Sequence, residues 1–441
     1  MTGPGVLANY LVDVLIVGAG PAGMAAALAA APSGATIALL DENVAIGGQI
    51  WRDGPRVSLP SQAQAMRESL MRHINVQILV GMRIVGEVEQ GILLLDGAEG
   101  ARKVRYKKLI LCTGAKEQFI PFPGWTLPGV TGAGGLQALI KQGLPVSGKR
   151  VVIAGSGPLL LAAARCARDA GAKVLRVAEQ ASALSVASFV LALARWPSKA
   201  AQALTLCEPT YRTSSHVVEV EGDHAVERVR IQRRRKSEEF ECDLVACGFG
   251  LIPNVELGQM LGCAVKTDRF GRRALQHDAQ QESSRPGIYL AGECTGFGGS
   301  ERALVQGAIA GHAAVGETAS ARKLSAKRHD WDAFASQVSR AFALRAELRS
   351  VPTQDTILCR CERVPFASVA DCVDWRTAKL SSRCGMGPCQ GRVCGPASEF
   401  LFGWVPSASH YPLLPTRIST LVAATCGRGP SPVFEPSSDD P

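Results

Sequence analysis

Two kinds of apolar run alternate near the start of the chain. VDVLIV (residues 12–17) is short and rich in β-branched residues, which predicts a buried strand. GAGPAG interrupts it. An alanine-rich stretch then predicts a helix, and TIALL predicts a second strand. The same order returns over residues 150–178, as RVVIAG, a Gly-rich turn, LLLAAARCARDAG and KVLRVA. Two strand–turn–helix–strand units predict two doubly wound α/β domains of nucleotide-binding type. Residues 212–250 read as strands with a hairpin, and RPGIYLAGE (285–293) as a late strand ending in a turn. Residues 301–348 read as largely helical. A cysteine-rich segment follows, and the polar, Pro-rich GRGPSPVFEPSSDDP predicts a mobile tail over 426–441.

Composition narrows this picture. At 441 residues the chain is long enough for two or three domains, and its 46 glycines and 5% aromatics suit an α/β protein with tight turns. The net charge of +9 has its main run in QRRRK (232–236), flanked by EEFE. That pattern fits a solvated hairpin better than a nucleic-acid patch, so no nucleic-acid partner is expected. The run VDVLIVGAGPAGMAAALAAA resembles a membrane helix or a signal peptide in hydropathy alone. It has no basic segment before it, and its glycines and proline fall where a strand turns into a helix. A cytoplasmic location is expected, membrane association is not evident, and peripheral attachment at the inner membrane face stays open. In a reducing compartment Cys112, Cys166, Cys207 and Cys263 are expected to be small buried hydrophobes, not disulfide partners.

The first glycine motif carries chemistry. Gly18 permits the tight turn, Gly20 lets backbone approach a pyrophosphate, and Gly23 lets the helix pack on the sheet; Pro21 and Ala22 lie between them. Asp41, with Glu42 beside it, ends the next strand where an acid bonds a ribose hydroxyl. The second motif, GSGPLL, supplies Gly155 and Gly157 but has Leu160 at the third glycine position. A leucine there is expected to hold the helix off the strand. Glu179 follows the second strand and can bond a ribose. An NAD(P)H site, another nucleotide and a degenerate domain all stay open.

These stretches together resemble the pyridine nucleotide-disulfide oxidoreductase superfamily. DENVAIGGQIW is similar to that family's path from the ribose acid to the flavin, with Gly48 and Gln49. LILCTGAKEQFIPFPG resembles its strand-to-hinge element, with Thr113 and Gly114. GIYLAGECTGFGGSERALVQGAIAG resembles its closing FAD motif, with Gly292 and Glu293, where the family more often has Asp. The resemblance implies FAD in the first domain and an inserted NAD-type domain. The family's redox-active cysteine pair is missing, because IWRDGPRV follows Gln49 and Arg165–Cys166–Ala167 offers no CxxC. A thiol–disulfide reductase is therefore not expected.

Residues 357–395 hold six cysteines: Cys359, Cys361, Cys372, Cys384, Cys389 and Cys394. No pair has the CxxC spacing usual for structural zinc, whereas a CxC pair followed by a second pair fits a 2Fe–2S cluster held by four thiolates. Spacing leaves the second pair tied, since Cys384/Cys389 and Cys389/Cys394 both read C-x4-C. The segment resembles a bacterioferritin-associated-ferredoxin-like 2Fe–2S domain. That resemblance implies Cys359, Cys361, Cys389 and Cys394 as ligands and does not require Cys384. Cys372 is assigned to packing in a helix predicted over PFASVADCVDW.

The order of motifs is similar to the alpha-type (FAD/2Fe–2S) subunits of heteromeric dehydrogenases that act on amino and imino acids. These include the subunits of that type in opine (octopine/nopaline) oxidase, D-hydroxyproline dehydrogenase and hydrogen cyanide synthase. The domains implied are an FAD-binding domain in two parts (1–115 and 246–330), an inserted NAD-type domain (116–245) and a 2Fe–2S domain (350–405). The implied function is electron transfer within a heteromeric dehydrogenase or oxidase acting on C–N bonds. A beta-type FAD-containing subunit would oxidise the substrate, and a small ferredoxin-like subunit often joins. No catalytic residue is expected in this chain; Arg302 and His312 read as surface or packing residues, and no hydrolase, nucleophile-elbow or kinase motif is present. The alternatives are a self-contained NADH-dependent FAD/iron–sulfur reductase and a non-catalytic assembly subunit.

Overall fold

The computed structural model describes residues 8–425 apart from 56, 58 and 406–409; the predicted tail lies outside the described residues. The first motif opens a sheet whose spatial order is Val76–Leu79, Ile37–Leu40, Ala8–Val17, Gly100–Leu111, Ile92–Gly97 and Arg83–Glu89. Ile288–Leu290 adds beside Gly100–Leu111, parallel to it. Ala8–Val17 runs parallel to both its neighbours, and Val12, Val14, Leu15, Ile16 and Val17 are all buried. Burial on both faces is why this strand reads as a continuous apolar run.

The helix Pro21–Ala30 starts with proline in its first turn and buries nine of its residues, so it shows no polar face. It packs against Gly299–Ala314 almost backbone to backbone. A methyl group on Gly307 would come within 2.1 Å of the Ala22 carbonyl oxygen, and one on Gly311 within 2.2 Å of that of Ala26. Only glycine permits this approach. The pair at 307 and 311 escaped the sequence reading, although its four-residue spacing places both on one helix face.

The chain leaves the first sheet through Ala115–Glu117 and returns through Leu251–Pro253, which pair antiparallel. Between them stands a parallel five-stranded sheet, ordered Tyr211–Arg212, Lys173–Glu179, Arg150–Gly155, Leu244–Gly248 and Val130–Gly132. An antiparallel meander of Ser215–Glu221, Arg228–Arg233 and Lys236–Glu241 joins it, with the QRRRK run at the tip of its second hairpin. Leu160 is fully buried in a core with Ala133, Leu136, Ile153 and Ala163. Burial of such a side chain contributes about 2 kcal/mol, so the leucine fills the space that a glycine would have left to backbone.

The helix Ser325–Ala341 leads to the short turn Ala346–Ser350 and then to the cysteine segment. That segment pairs Ile357–Cys359 with Val364–Pro365 and adds the helices Trp375–Ser382 and Cys394–Phe402. Its own core is small, with Leu358, Val369, Trp375, Ala378, Ala397 and Trp404. It docks on the five-stranded domain, where Trp125 Nε1 donates to the Ile357 carbonyl over 2.5 Å; in the preceding turn, Arg349 Nε donates to the Phe400 carbonyl over 2.9 Å. The chain then returns to the first domain, where Leu413 N donates to Val85 O and Lys103 Nζ to Ala424 O. The predicted helix over PFASVADCVDW is not formed. Phe366–Ser368 is a single 3-10 turn, and the helix starts later at Trp375, where the Asp374 carboxylate accepts from Thr377 N over 2.7 Å. An aspartate preceded by β-branched valine favours the cap over helix interior.

Candidate functional site

The first cleft is built where Ala8–Val17 turns into Pro21–Ala30. Gly18 has φ +100°, and a side chain there would strike the Cys112 carbonyl. Gly48 closes on Gly20, since a methyl on Gly48 would lie 2.9 Å from the Gly20 Cα; Gly47 N donates to Ala19 O over 2.8 Å. No side chain caps the helix N-terminus at Gly20. Bare backbone and an uncapped positive helix end suit a pyrophosphate, so the residues fit a dinucleotide. Asp41 is buried, accepting from Ala19 N over 2.7 Å through one oxygen and from Asn43 N over 2.8 Å through the other. Glu42 and Gln49 are exposed, and Gln49 accepts from Arg52 over 2.9 Å. Thr113 and Gly114 are stitched to Asn254 at the crossing between domains, by bonds of 2.8 and 3.0 Å.

The opposite wall is the turn after Ile288–Leu290. Gln306, wholly buried, accepts from Gly292 N and from the Thr295 hydroxyl over 3.0 Å each, while its Nε2 has no protein partner. Burial pushes the Glu293 carboxyl up to about 7, against the opposing pull of the Arg302 guanidinium and the Gly299 N–H. Arg302 is buried and fully engaged, donating to Asp332 over 2.7 Å and to Gly296 O over 2.7 Å. His312 Nδ1 lies 2.7 Å from Glu317. Both have partners within the protein. Gln306 was missed in the sequence, because a lone glutamine in a helix carries no pattern.

In the second nucleotide fold, Glu179 is held by its glycine loop much as Asp41 is in the first. Its oxygens accept from Gly157 N over 2.7 Å and from Ala181 N over 2.8 Å, and burial raises its pKa to about 7. The chain itself lies on the glycine loop. Ser156 Oγ donates to Phe342 O over 2.9 Å, Gln180 Nε2 donates to Ser156 Oγ and to Ala343 O, and Arg345 N donates to Gln180 Oε1. A methyl on Gly157 would meet the Phe342 side chain at 3.9 Å. Residues 342–345 therefore form a strap where a pyrophosphate would approach.

Five of the six clustered cysteines converge. The Sγ atoms of Cys359, Cys384 and Cys394 all lie within 4.8 Å of one another, and all three residues are buried. Cys394 also contacts Cys389, which contacts Cys361. Hydrogen bonding from Cys394 lowers the proton affinity of Cys384 and Cys389, Cys389 to about 4, and raises that of Cys394 itself. Cys372 is half-buried in a turn, with Sγ 3.7 Å from Ser381 Oγ. Cys112 and Cys263 are buried, Cys166 is half-buried, and Cys207 is exposed, contrary to expectation. Cys207 follows a helix end at the surface, where apolar character has nothing to pack on.

Residues 12–314 match the pyridine nucleotide-disulphide oxidoreductase family, and the chain belongs to that family. It is an oxidoreductase, and the family implies FAD. It is 32% identical to the hydrogen cyanide synthase subunit HcnB of Pseudomonas protegens, over 92% of this chain and 96% of the relative. It is 31% identical to a subunit of the opine oxidase of Rhizobium meliloti, over 87% and 90%. Both relatives are components of multi-subunit enzymes. The fold is also that of the L-proline dehydrogenase from P. horikoshii, with a TM-score of 0.69 at 20% identity, over 95% of this chain and 80% of that one. Among the described residues no helix is long and apolar enough to cross a membrane.

Proposed function

We propose that this chain is the electron-transferring FAD and 2Fe–2S subunit of a heteromeric dehydrogenase or oxidase acting on C–N bonds of amino or imino acids. The substrate would be of opine, D-hydroxyproline or glycine type, oxidised on a beta-type FAD-containing partner, and a small ferredoxin-like subunit is a further candidate partner. The observation that carries this reading is the presence in one chain of a dinucleotide cleft and a buried thiol cluster. FAD when bound exchanges two electrons and releases them singly, and a 2Fe–2S cluster takes one at a time. The loops Gly18–Gly20 and Gly47–Gly48 would hold the pyrophosphate, and Asp41 and Glu293 would flank the sugar and ribityl chain. Four of the five converging thiols would hold the cluster. Free thiols suit a reducing cytoplasm.

The cleft walls support a relay role. Arg302, within the closing motif, and His312, just after it, are already paired within the protein. The helix Ala183–Ala192 presents Leu184 and Leu191 to solvent at 84% and 78% exposure, seven residues apart and so on one face. Apolar surface of this kind suits a partner chain. The test is expression with and without the partner chains. The complex should oxidise the amino or imino acid, and the chain alone, fully loaded, should not. Turnover by the single chain at the rate of the complex would refute the proposal.

A further inference from the structure

We infer that the solvent-facing edge of the thiol centre is a docking surface for a one-electron carrier protein with an acidic face. The inference rests on the cluster reading above and adds to it where electrons leave and what chemistry receives them.

The centre is lopsided in burial. Cys359, Cys384 and Cys394 are each at most 1% exposed, whereas Cys389 is half-buried and Cys361 is exposed. Cys361 accepts from the Cys389 N–H and touches its thiol. The contact between these two residues is therefore the edge of the centre nearest to water.

Two loops meet at that contact, residues 359–363 and 383–392, and both carry arginine next to sulfur. Arg360 stands between Cys359 and Cys361, and Arg363 lies two positions beyond Cys361. Arg383 precedes Cys384, and Arg392 lies between Cys389 and Cys394. All four arginines are exposed. Glu362 is the one acid in the two loops, and Arg383 Nε donates to it over 2.9 Å. Arg360, Arg363 and Arg392 make no side-chain hydrogen bond or ion pair among the described residues.

Like charges gathered in this way repel one another, and no acid within the fold offsets that. The arginines do not serve the sulfurs either. The strongest influences on the Cys361 and Cys389 thiols are neighbouring thiols, burial and backbone N–H groups. Pro388 and Val393, on the second loop, add exposed apolar surface beside the guanidinium groups. Arginine next to exposed apolar side chains is a pairing that protein interfaces favour.

The charge selects an acidic partner, and the position selects an electron carrier. The patch surrounds the thiols nearest to solvent, where an electron crosses the shortest gap. The reduced centre gives one electron to the oxidised carrier, with no bond made or broken. Encounters of this kind bury little area and take their speed from complementary charge.

The test uses the full flavin-containing chain, loaded with iron and sulfide. An acidic plant-type 2Fe–2S ferredoxin is the probe, and cytochrome c, a basic carrier, is the control. Photoreduced ferredoxin is mixed with the oxidised chain, and its reoxidation is followed by stopped flow from about 20 to about 300 mM salt. We expect the wild-type rate constant to fall about tenfold over that range, and R360E and R392E each to lose about fivefold at low salt. R235E, the same charge change at the distant hairpin tip, should match the wild type, and cytochrome c should react faster as salt rises. Iron content, flavin content and cluster potential should stay at wild-type values in R360E and R392E, which places the effect in docking. A wild-type rate indifferent to salt would overturn the inference, as would an equal loss in R235E. So would loss of the catalytic flavoprotein from R360E on co-purification with the ferredoxin reaction unchanged, which would give the patch to that subunit. A wild type that takes up neither iron nor sulfide would instead sink the cluster reading, and the docking surface with it.

Discussion

The Ser156 hydroxyl donates to the carbonyl oxygen of Phe342 over 2.9 Å, tying the glycine loop of the second nucleotide fold to a distant part of the same chain. A dinucleotide would have to displace that bond and the Gln180 bonds beside it. NADH added to the purified flavoprotein should therefore leave the flavin absorbance unchanged over minutes, and equilibrium dialysis should find no tight NADH site. Bleaching within seconds would revive the NADH-reductase reading.

Glu293 sets a pH dependence. Its folded pKa of about 7 lies above that of an unfolded glutamate, so its contribution to stability is full at low pH and is lost as pH rises through about 7. In the flavin-free chain, the melting temperature of Glu293→Gln should gain on that of the wild type between pH 5 and pH 8. A difference that stays constant across that range would show that Glu293 does not titrate there.

Gly307 is the tightest point between the helices Pro21–Ala30 and Gly299–Ala314. Gly307→Ala forces them apart and should cost about 1–3 kcal/mol, as overpacking does. The shift also moves the helix end at Gly20, so flavin retention on gel filtration should fall more than the urea midpoint alone predicts. Unchanged flavin content would separate the two.

Trp125 carries a link between domains. Trp125→Phe keeps the ring in its core but leaves the Ile357 carbonyl unpaired, at a cost of about 1–3 kcal/mol. Amide exchange should quicken in residues 357–395 before it does in the first sheet. Uniform quickening would mean that the bond serves the whole molecule equally.

The parts of the fold that follow a local rule were legible in the sequence. VDVLIV and RVVIAG form strands, GAGPAG and GSGPLL form turns, and Asp41 comes back to the first loop because strand and helix lengths fix its position. What escaped depends on contacts between distant segments. Phe342 has no motif, yet it lies on Gly157. The core around Leu160 draws Ala133 and Leu136 from another helix, which the motif alone does not show. Spacing left Cys384 tied with Cys394 and resemblance set it aside; that its sulfur lies near those of Cys359 and Cys394 depends on a chain reversal at Arg383, which spacing does not show. Gln306 shows the same limit, since its role exists only once Gly292 is beside it.

Leu348 and Phe400 pack into the same core as Phe122, Trp125 and Val229 of the middle domain. The cysteine segment thus owns too few apolar residues to stand as an excised module, and part of its foundation belongs to its neighbour. A cut at residue 345 would not free a small redox carrier; it would take Leu348 and Phe400 out of the middle domain's core and leave two fragments with raw apolar faces.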